Sequence, residues 1–265
     1  MFIRVLLAAC LISISAAAAS SSLNVGIYPS YPPLDMKDPA TGQLTGFDVE
    51  LGQELAKRMA TTFDLQETSF AQMVASAQTG RIDLFLNGMS DNAARRELIA
   101  FVDYLQSGTQ FLVREGDAAL YPSIVSLCGK KIAGSRSTTF PVDLAEWSKT
   151  HCEAQGKPAV VFLGADNSID ARSQLKQGRA DAMGMDSLTV PHVQSQEEGV
   201  YRALGEPFKM TVMGIGVAKD NKALQAALQS ALQAAIDDGV YAKLMAKWGL
   251  PTTSAIARVT INMGL

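Results

Sequence analysis

The groups that could do covalent or metal chemistry are few. The chain carries two histidines, His151 and His192, and three cysteines, Cys10, Cys128 and Cys152. The histidines are far apart in sequence, and nothing marks a serine and an aspartate that would complete a nucleophilic triad with either. Two histidines and a lone cysteine pair also make a poor zinc cage, which wants four ligands at tight spacing. No metal site and no cofactor is expected. The cysteines lack C-x-x-C spacing, which disfavours a redox role. No G-x-S-x-G elbow, H-E-x-x-H pair or phosphate loop is present, and Gly214-Ile-Gly216 lacks the third glycine of a nucleotide fingerprint. What remains is charge. Arg95 falls in the first turn of a helix that Asn92 can cap. A guanidinium donates two parallel hydrogen bonds to a carboxylate, and a helix start itself favours anions. Read alone, beside Arg96, it is a solvated arginine, as most are.

The elements that would hold such groups alternate between strand and helix. Leu23, Val25 and Ile27 alternate with Asn24 and Gly26, a strand pattern. Tyr28 to Gly42 is rich in proline, glycine and aspartate and reads as a loop. Asp48 can cap a helix whose Leu51, Leu55 and Met59 share one face. Ile82 to Met89 suits a buried strand, and Phe101 to Val113 is extended and apolar. A second set begins at Lys131-Ile-Ala, continues through Ala159 to Leu163, and includes Ala180 to Met185. Leu224, Leu228, Leu232 and Ile236 mark one face of a long helix. Strands alternating with helices argue for an α/β fold with mostly parallel sheets.

Composition narrows the function. The chain has 265 residues, 48% hydrophobic and 18% charged, which is globular and long enough for one or two domains. A net charge of -3 leaves no basic block for nucleic acid, which is excluded as a partner. The N-terminus reads as a signal peptide over residues 1–20: Arg4, an apolar run from Val5 to Ile14, then Ser15 to Ser20 as small residues. That run is too short to span a bilayer, which needs about 20 residues. Cleavage is expected between Ala18 and Ser21. Leu7-Ala-Ala-Cys10 resembles a lipoprotein box, but only six residues precede it and the apolar run continues past Cys10. Losing Arg4 leaves 22 basic against 26 acidic residues, a net charge of -4. In an exported chain, the remaining pair, Cys128 and Cys152, reads as a disulfide.

Seven segments, in order, resemble the family 3 solute-binding proteins, periplasmic receptors of amino-acid importers. They are Tyr31-Pro-Pro-Leu34, Gly42-Gln-Leu-Thr-Gly-Phe-Asp-Val-Glu-Leu51, Gly80-Arg-Ile-Asp83, Asn87 to Arg95, Leu127-Cys-Gly-Lys-Lys-Ile132, Gly178 to Asp186, and Lys247-Trp-Gly249. Each is weak alone; their order and spacing carry the resemblance, from Leu23 to about Gly249. It implies a type II periplasmic-binding-protein fold, two α/β lobes joined by two crossover strands with a ligand cleft between them. Lobe 1 is expected at 21–107 and 212–265, and lobe 2 at 108–211. A subset of the family carries a cysteine pair at Cys128 and Cys152, which supports the disulfide.

The resemblance also implies the site. Arg95 matches the arginine that meets the ligand carboxylate, and Asp186 the aspartate that holds its ammonium. Ser90 matches a carboxylate-facing hydroxyl, and Asn87 and Gly88 match contacts in the same loop; for Asn87, plain turn chemistry is an equal reading. Thr138 and Thr139 match a loop of lobe 2 whose backbone N–H groups meet the carboxylate, with Ser137 where the family has glycine. Tyr31 and Phe70 match the apolar walls around the ligand side chain. Tyr28 stands where several receptors of basic amino acids have an acid, which argues against lysine, arginine or ornithine. Leu34 replaces the usual phenylalanine.

The implied function is capture of an amino acid or related small zwitterion by hinge closure, followed by delivery to an inner-membrane ABC permease and its ATPase. A monomer in the periplasm is expected, and not an enzyme. Two alternatives share the fold: a cyclohexadienyl dehydratase-like enzyme, which needs a general acid, and a ligand-sensing receptor domain.

Overall fold

The structure, a computed structural model, describes residues 22–264. The expected signal peptide, its cleavage point and Cys10 lie outside the described residues. The chain opens with β1 (Ser22–Ile27), followed by a loop holding the short hairpin β2 (Met36–Lys37) and β3 (Leu44–Thr45). Next come α1 (Phe47–Arg58), β4 (Thr62–Glu67), α2 (Met73–Gln78), β5 (Leu84–Ser90) and the single turn α3 (Ala93–Arg96). The long strand β6 (Ala100–Arg114) leads away from this half of the molecule. The second half holds β7 (Lys131–Ser135), α4 (Phe140–His151), β8 (Val161–Ala165), α5 (Ser168–Lys176), β9 (Ala182–Asp186) and α6 (Val190–Gln196). The equally long β10 (Tyr201–Val217) returns to the first half, where α7 (Lys222–Asp237) and α8 (Val240–Lys247) follow.

The sheet order is β4-β1-β5-β10-β6-β9-β7-β8. The outer pairs are parallel: β1 with β4 and β5, β7 with β8 and β9. The two crossing strands break that rule. β10 runs antiparallel to β5 and β6, and β6 antiparallel to β9. The expectation of mostly parallel sheets therefore holds only outside the crossing pair. Pairing of β10 with β6 is irregular between Leu204 and Thr211, where Gly205 and Lys209 take positive φ. The expected lobe divisions at 107/108 and 211/212 fall inside β6 and β10.

Each half-sheet is covered on both faces, which is why its strands read as near-continuous apolar runs. In lobe 1, Phe47, Leu51 and Leu55 of α1 pack with Leu84, Tyr104, Leu228 and Tyr241, while Met73, Phe85 and Phe101 fill the opposite face. In lobe 2, Phe111, Leu144 and Trp147 form one face and Leu112, Leu175 and Met183 the other. Burying each large apolar side chain contributes about 1.5–3 kcal/mol. The Cys128–Cys152 disulfide, with Cα atoms 5.5 Å apart, ties the approach to β7 to the end of α4. Among the described residues, no helix is long and apolar enough to cross a membrane.

One expected cap is corrected. Gly46, not Asp48, is the N-cap residue of α1. Asp48 lies in the first turn with its carboxylate buried, where it accepts a hydrogen bond from the Tyr104 hydroxyl at 2.8 Å. Its role is tertiary, so the local pattern of a capping acid misread it.

Candidate functional site

A cavity opens between the lobes. From lobe 1 it is lined by Tyr28, Ser30, Tyr31, Phe70, Gly88, Ser90 and Arg95. From lobe 2 and the crossing strands it is lined by Thr109, Ser135, Ser137 to Phe140, Asp166 to Ser168, and Gly184 to Asp186. Every expected site residue is therefore at the cavity except Asn87. That side chain is wholly buried within β5 and donates to Asp35 Oδ2, and to the Tyr28 carbonyl at 3.4 Å. It stands behind the cavity wall, on a strand rather than in a turn.

Arg95 is placed by local chemistry. Asn92 caps α3, its side-chain oxygen accepting the Arg95 N–H at 2.9 Å. The guanidinium donates to the Ser90 carbonyl at 3.0 Å and lies 5.7 Å from the centre of the Phe70 ring. Among the described residues, no carboxylate forms an ion pair with it. Burial lowers its pKa, with the charges of Asp186 and Asp143 acting the other way. The result is a cation held on an aromatic face, still charged and aimed into the cavity.

Asp186 ends β9, in register with Thr109 of β6. The Tyr31 hydroxyl donates to its Oδ2 at 2.5 Å, so one hydrogen bond joins the lobes across the cleft. Burial pushes the Asp186 carboxyl up to about 6; the Tyr31 bond and the Arg95 charge restrain the rise, and the Asp143 charge adds to it. The same burial, with Asp186 next to it, raises the Tyr31 phenol well above its ordinary value.

The walls depend on close approaches. Gly88 takes φ +56°, and a Cβ there would meet Tyr31 Cε1 at 2.4 Å. Its bare backbone lets the Tyr31 ring lie against β5. Its N–H donates to the Tyr104 hydroxyl at 2.8 Å, which links the cavity wall to buried Asp48. Burial raises Asp48 to about 7, and burial and the Asp48 charge raise Asp35 well above its ordinary value. In lobe 2, Phe140 sits where Gly134 and Gly184 leave room: a Cβ on either would come within 2.1 Å of its ring. Thr138 turns its hydroxyl to the Ser135 carbonyl at 3.1 Å and accepts the Phe140 N–H at 3.2 Å, shaping the loop before α4.

Sequence reasoning missed Phe140, Ser135, Met185, Thr109 and the Asp166–Ser168 turn. Phe140 follows the threonine pair directly, and Gly184 inside the Gly178–Asp186 segment was the available signal for a ring packed on β9.

Comparison with known proteins gives a consistent picture. The family model for bacterial extracellular solute-binding proteins, family 3, matches residues 23–251. The arginine-binding protein ArgT of Corynebacterium glutamicum is 30% identical over 236 residues, which cover 89% of this chain and 76% of that protein. The histidine-binding periplasmic protein of Salmonella typhimurium is 28% identical over 244 residues, covering 88% and 89%. The crystal structure of an ancestral amino-acid-binding protein, described as a precursor of cyclohexadienyl dehydratase, superposes with a TM-score of 0.73 at 26% identity, covering 86% and 95%.

Proposed function

The chain belongs to the bacterial extracellular solute-binding proteins of family 3, and from that premise we propose that it binds an amino acid by its α-carboxylate and α-ammonium. One observation carries this reading: a cation of lobe 1 and an anion of lobe 2, Arg95 and Asp186, face one cavity. Arg95 takes the carboxylate, with Ser90 and the backbone of Thr138 and Thr139 around it. Asp186 takes the ammonium. Tyr31 and Phe70 flank the side chain, and Tyr28 and Gly88 complete that wall. A zwitterion bridges the two charges, so its binding favours the closed arrangement of the lobes. Because the charges are partly desolvated, each contact is stronger than on an exposed surface.

The side chain of the ligand is neutral: polar, aromatic or small. A distal cation would need a carboxylate; among the described residues that line the cavity, those besides Asp186 include only Asp166, which is highly exposed and paired with Arg136. The relatives named for arginine and histidine support the amino-acid class, not the side chain. Hinging occurs in the irregular stretch of β6 and β10, between lobes divided near residues 107 and 212. The mature protein works as a periplasmic monomer after loss of residues 1–20, and delivers its ligand to an ABC permease and its ATPase.

A second reading rests on Asp186. A buried carboxyl that titrates near 6 is in the range of a general acid, as dehydration of prephenate or arogenate would need. A thermal-shift panel on refolded mature protein separates the readings. A ligand at about 1,000 times its dissociation constant adds roughly 4 kcal/mol, or on the order of 8–16 °C at this size. A large shift with neutral amino acids, much reduced in Arg95→Ala and Asp186→Ala, is expected. Preference for arginine would reject the neutral side chain. Aromatic product from prephenate would favour the enzyme.

A further inference from the structure

The match to the family model stops at residue 251, yet the chain continues into lobe 1. Residues 259–264 run back along the edge of β6 that β9 leaves unpaired. Val259 is tied to α7, donating to Gln233 Oε1 at 2.9 Å and accepting from Gln229 at 3.1 Å. Ile261 pairs with Val102 in a β-bridge. The Asp103 N–H donates to the Thr260 carbonyl at 2.9 Å, and the Asn262 N–H to the Phe101 carbonyl at 3.0 Å. The Thr260 hydroxyl donates to the buried Asp103 carboxylate at 2.6 Å.

The strap then reaches α3. Asn262, at φ +58°, accepts the Phe101 N–H on its side-chain oxygen at 2.7 Å and Arg96 Nη1 on its carbonyl at 2.8 Å. Asparagine tolerates this left-handed backbone better than most residues, so one residue joins the edge of β6 to α3. The Gly264 N–H donates to Asp91 Oδ2 at 3.0 Å, and Arg96 Nε lies 3.4 Å from Asp91 Oδ1. Asp91 is only 2% exposed and sits between Ser90, which lines the cavity, and Asn92, which caps α3. A one-turn helix has no stability of its own. The orientation of α3 must therefore come from its tethers: the strap holds Arg96 and the Asp91 carboxylate, and the Asp91 N–H donates to the Val212 carbonyl of β10 at 2.8 Å.

We propose that the C-terminal strap, residues 259–264, positions Arg95 by holding α3 through Arg96 and Asp91, and so sharpens selectivity for a ligand carboxylate. This rests on the reading that Arg95 receives that carboxylate. Arg96, Asp91 and Asn262 are positioning residues and do not touch the ligand. Without the strap, Arg95 must be immobilised anew on each binding event, a cost that lowers affinity by about tenfold.

The test uses the full mature chain and two probes: an equimolar mixture of the twenty proteinogenic L-amino acids, and the same mixture as α-carboxamides. Apparent affinities come from the concentration dependence of the thermal shift. In Arg96→Ala and Asn262→Ala, the acid mixture should bind about tenfold more weakly while the carboxamide mixture changes less than about twofold. Arg96→Lys, which can still reach the Asn262 carbonyl, should recover most of the loss. Gln233→Ala, which touches the strap far from α3, should retain the acid-to-amide ratio. An unchanged ratio in Arg96→Ala and Asn262→Ala, with acid binding weakened in Arg95→Ala, would overturn the strap's role and leave the carboxylate reading standing. Equal losses for acids and amides would also overturn it, as a general structural effect. Undiminished binding in Arg95→Ala, or no shift of the wild type with the acid mixture, would overturn both.

Discussion

Lowering the pH from 7.5 to 5 should weaken amino-acid binding by about tenfold, through Asp186. Its carboxyl titrates near 6 because burial between the lobes disfavours the charge. The ligand ammonium selects the ionised form. With an apparent pKa near 6, nearly all of the carboxyl is ionised at pH 7.5 and about one part in eleven at pH 5. That ratio corresponds to about 1.4 kcal/mol of binding free energy. The sign for folding is the reverse. A carboxyl whose folded pKa is raised binds more protons folded than unfolded, so its contribution to stability is full below the unfolded value and is lost as pH rises through about 6. Acid should therefore weaken binding while this group makes the ligand-free protein relatively more stable. Calorimetric titration across this range, in two buffers of different ionisation enthalpy, measures both the affinity and the proton released on binding. Asp186→Asn should abolish the release near pH 5.5 and flatten the affinity profile. A flat profile in the wild type, or an identical slope in Asp186→Asn, would refute the assignment of the ammonium to this carboxylate.

Other consequences can be checked separately. Tyr31→Phe removes the hydrogen bond across the cleft, so ligand-free protein should shift toward an open arrangement, seen as a larger radius of gyration in X-ray scattering. Gly88→Ala places a methyl 2.4 Å from Tyr31 Cε1 and strains a positive φ; loss of about 1–2 kcal/mol of stability and weaker ligand binding should appear together in thermal shift. Replacing Cys128 and Cys152 by serine opens a loop spanning 24 positions. In the chain-entropy model this costs about 3–4 kcal/mol, which for a chain of this size lowers Tm by on the order of 10 °C. An unchanged Tm would show that the unfolded chain is already constrained.

Much of the scaffold was legible because burial on both sheet faces leaves apolar runs. β5, β6 and β9 were readable this way, and α7 by the spacing of Leu224, Leu228 and Leu232. The Asn92 cap was readable because it is local, its partner only three residues away. The lobe 2 part of β10 was not, since Arg202 to Met210 mixes charged and apolar residues without alternation and is broken by Gly205 and Pro207. Buried polar groups were the other blind spot. The sequence makes Asp48 a cap and Asn87 a ligand contact or, equally, a turn residue, but each is satisfied by partners far away in sequence, Tyr104 and Asp35. The place of Phe140 depends on Gly134 and Gly184, which lie far apart in sequence and meet only beneath its ring. The strap is held by scattered hydrogen bonds to β6, α7 and α3, which leave no periodic trace in the sequence.

The most direct measurement is a double-mutant cycle between protein and ligand. The amino acid that gives the largest thermal shift, its α-carboxamide and its deaminated acid would be titrated into wild type, Arg95→Ala and Asp186→Ala. If Arg95 holds the carboxylate and Asp186 the ammonium, both variants should bind the amino acid weakly but measurably at high ligand concentration; amidation should weaken binding to wild type and Asp186→Ala but add no further loss in Arg95→Ala, and deamination should show the converse. Equal penalties in all three proteins would mean that the two charges do not divide the ligand between the lobes.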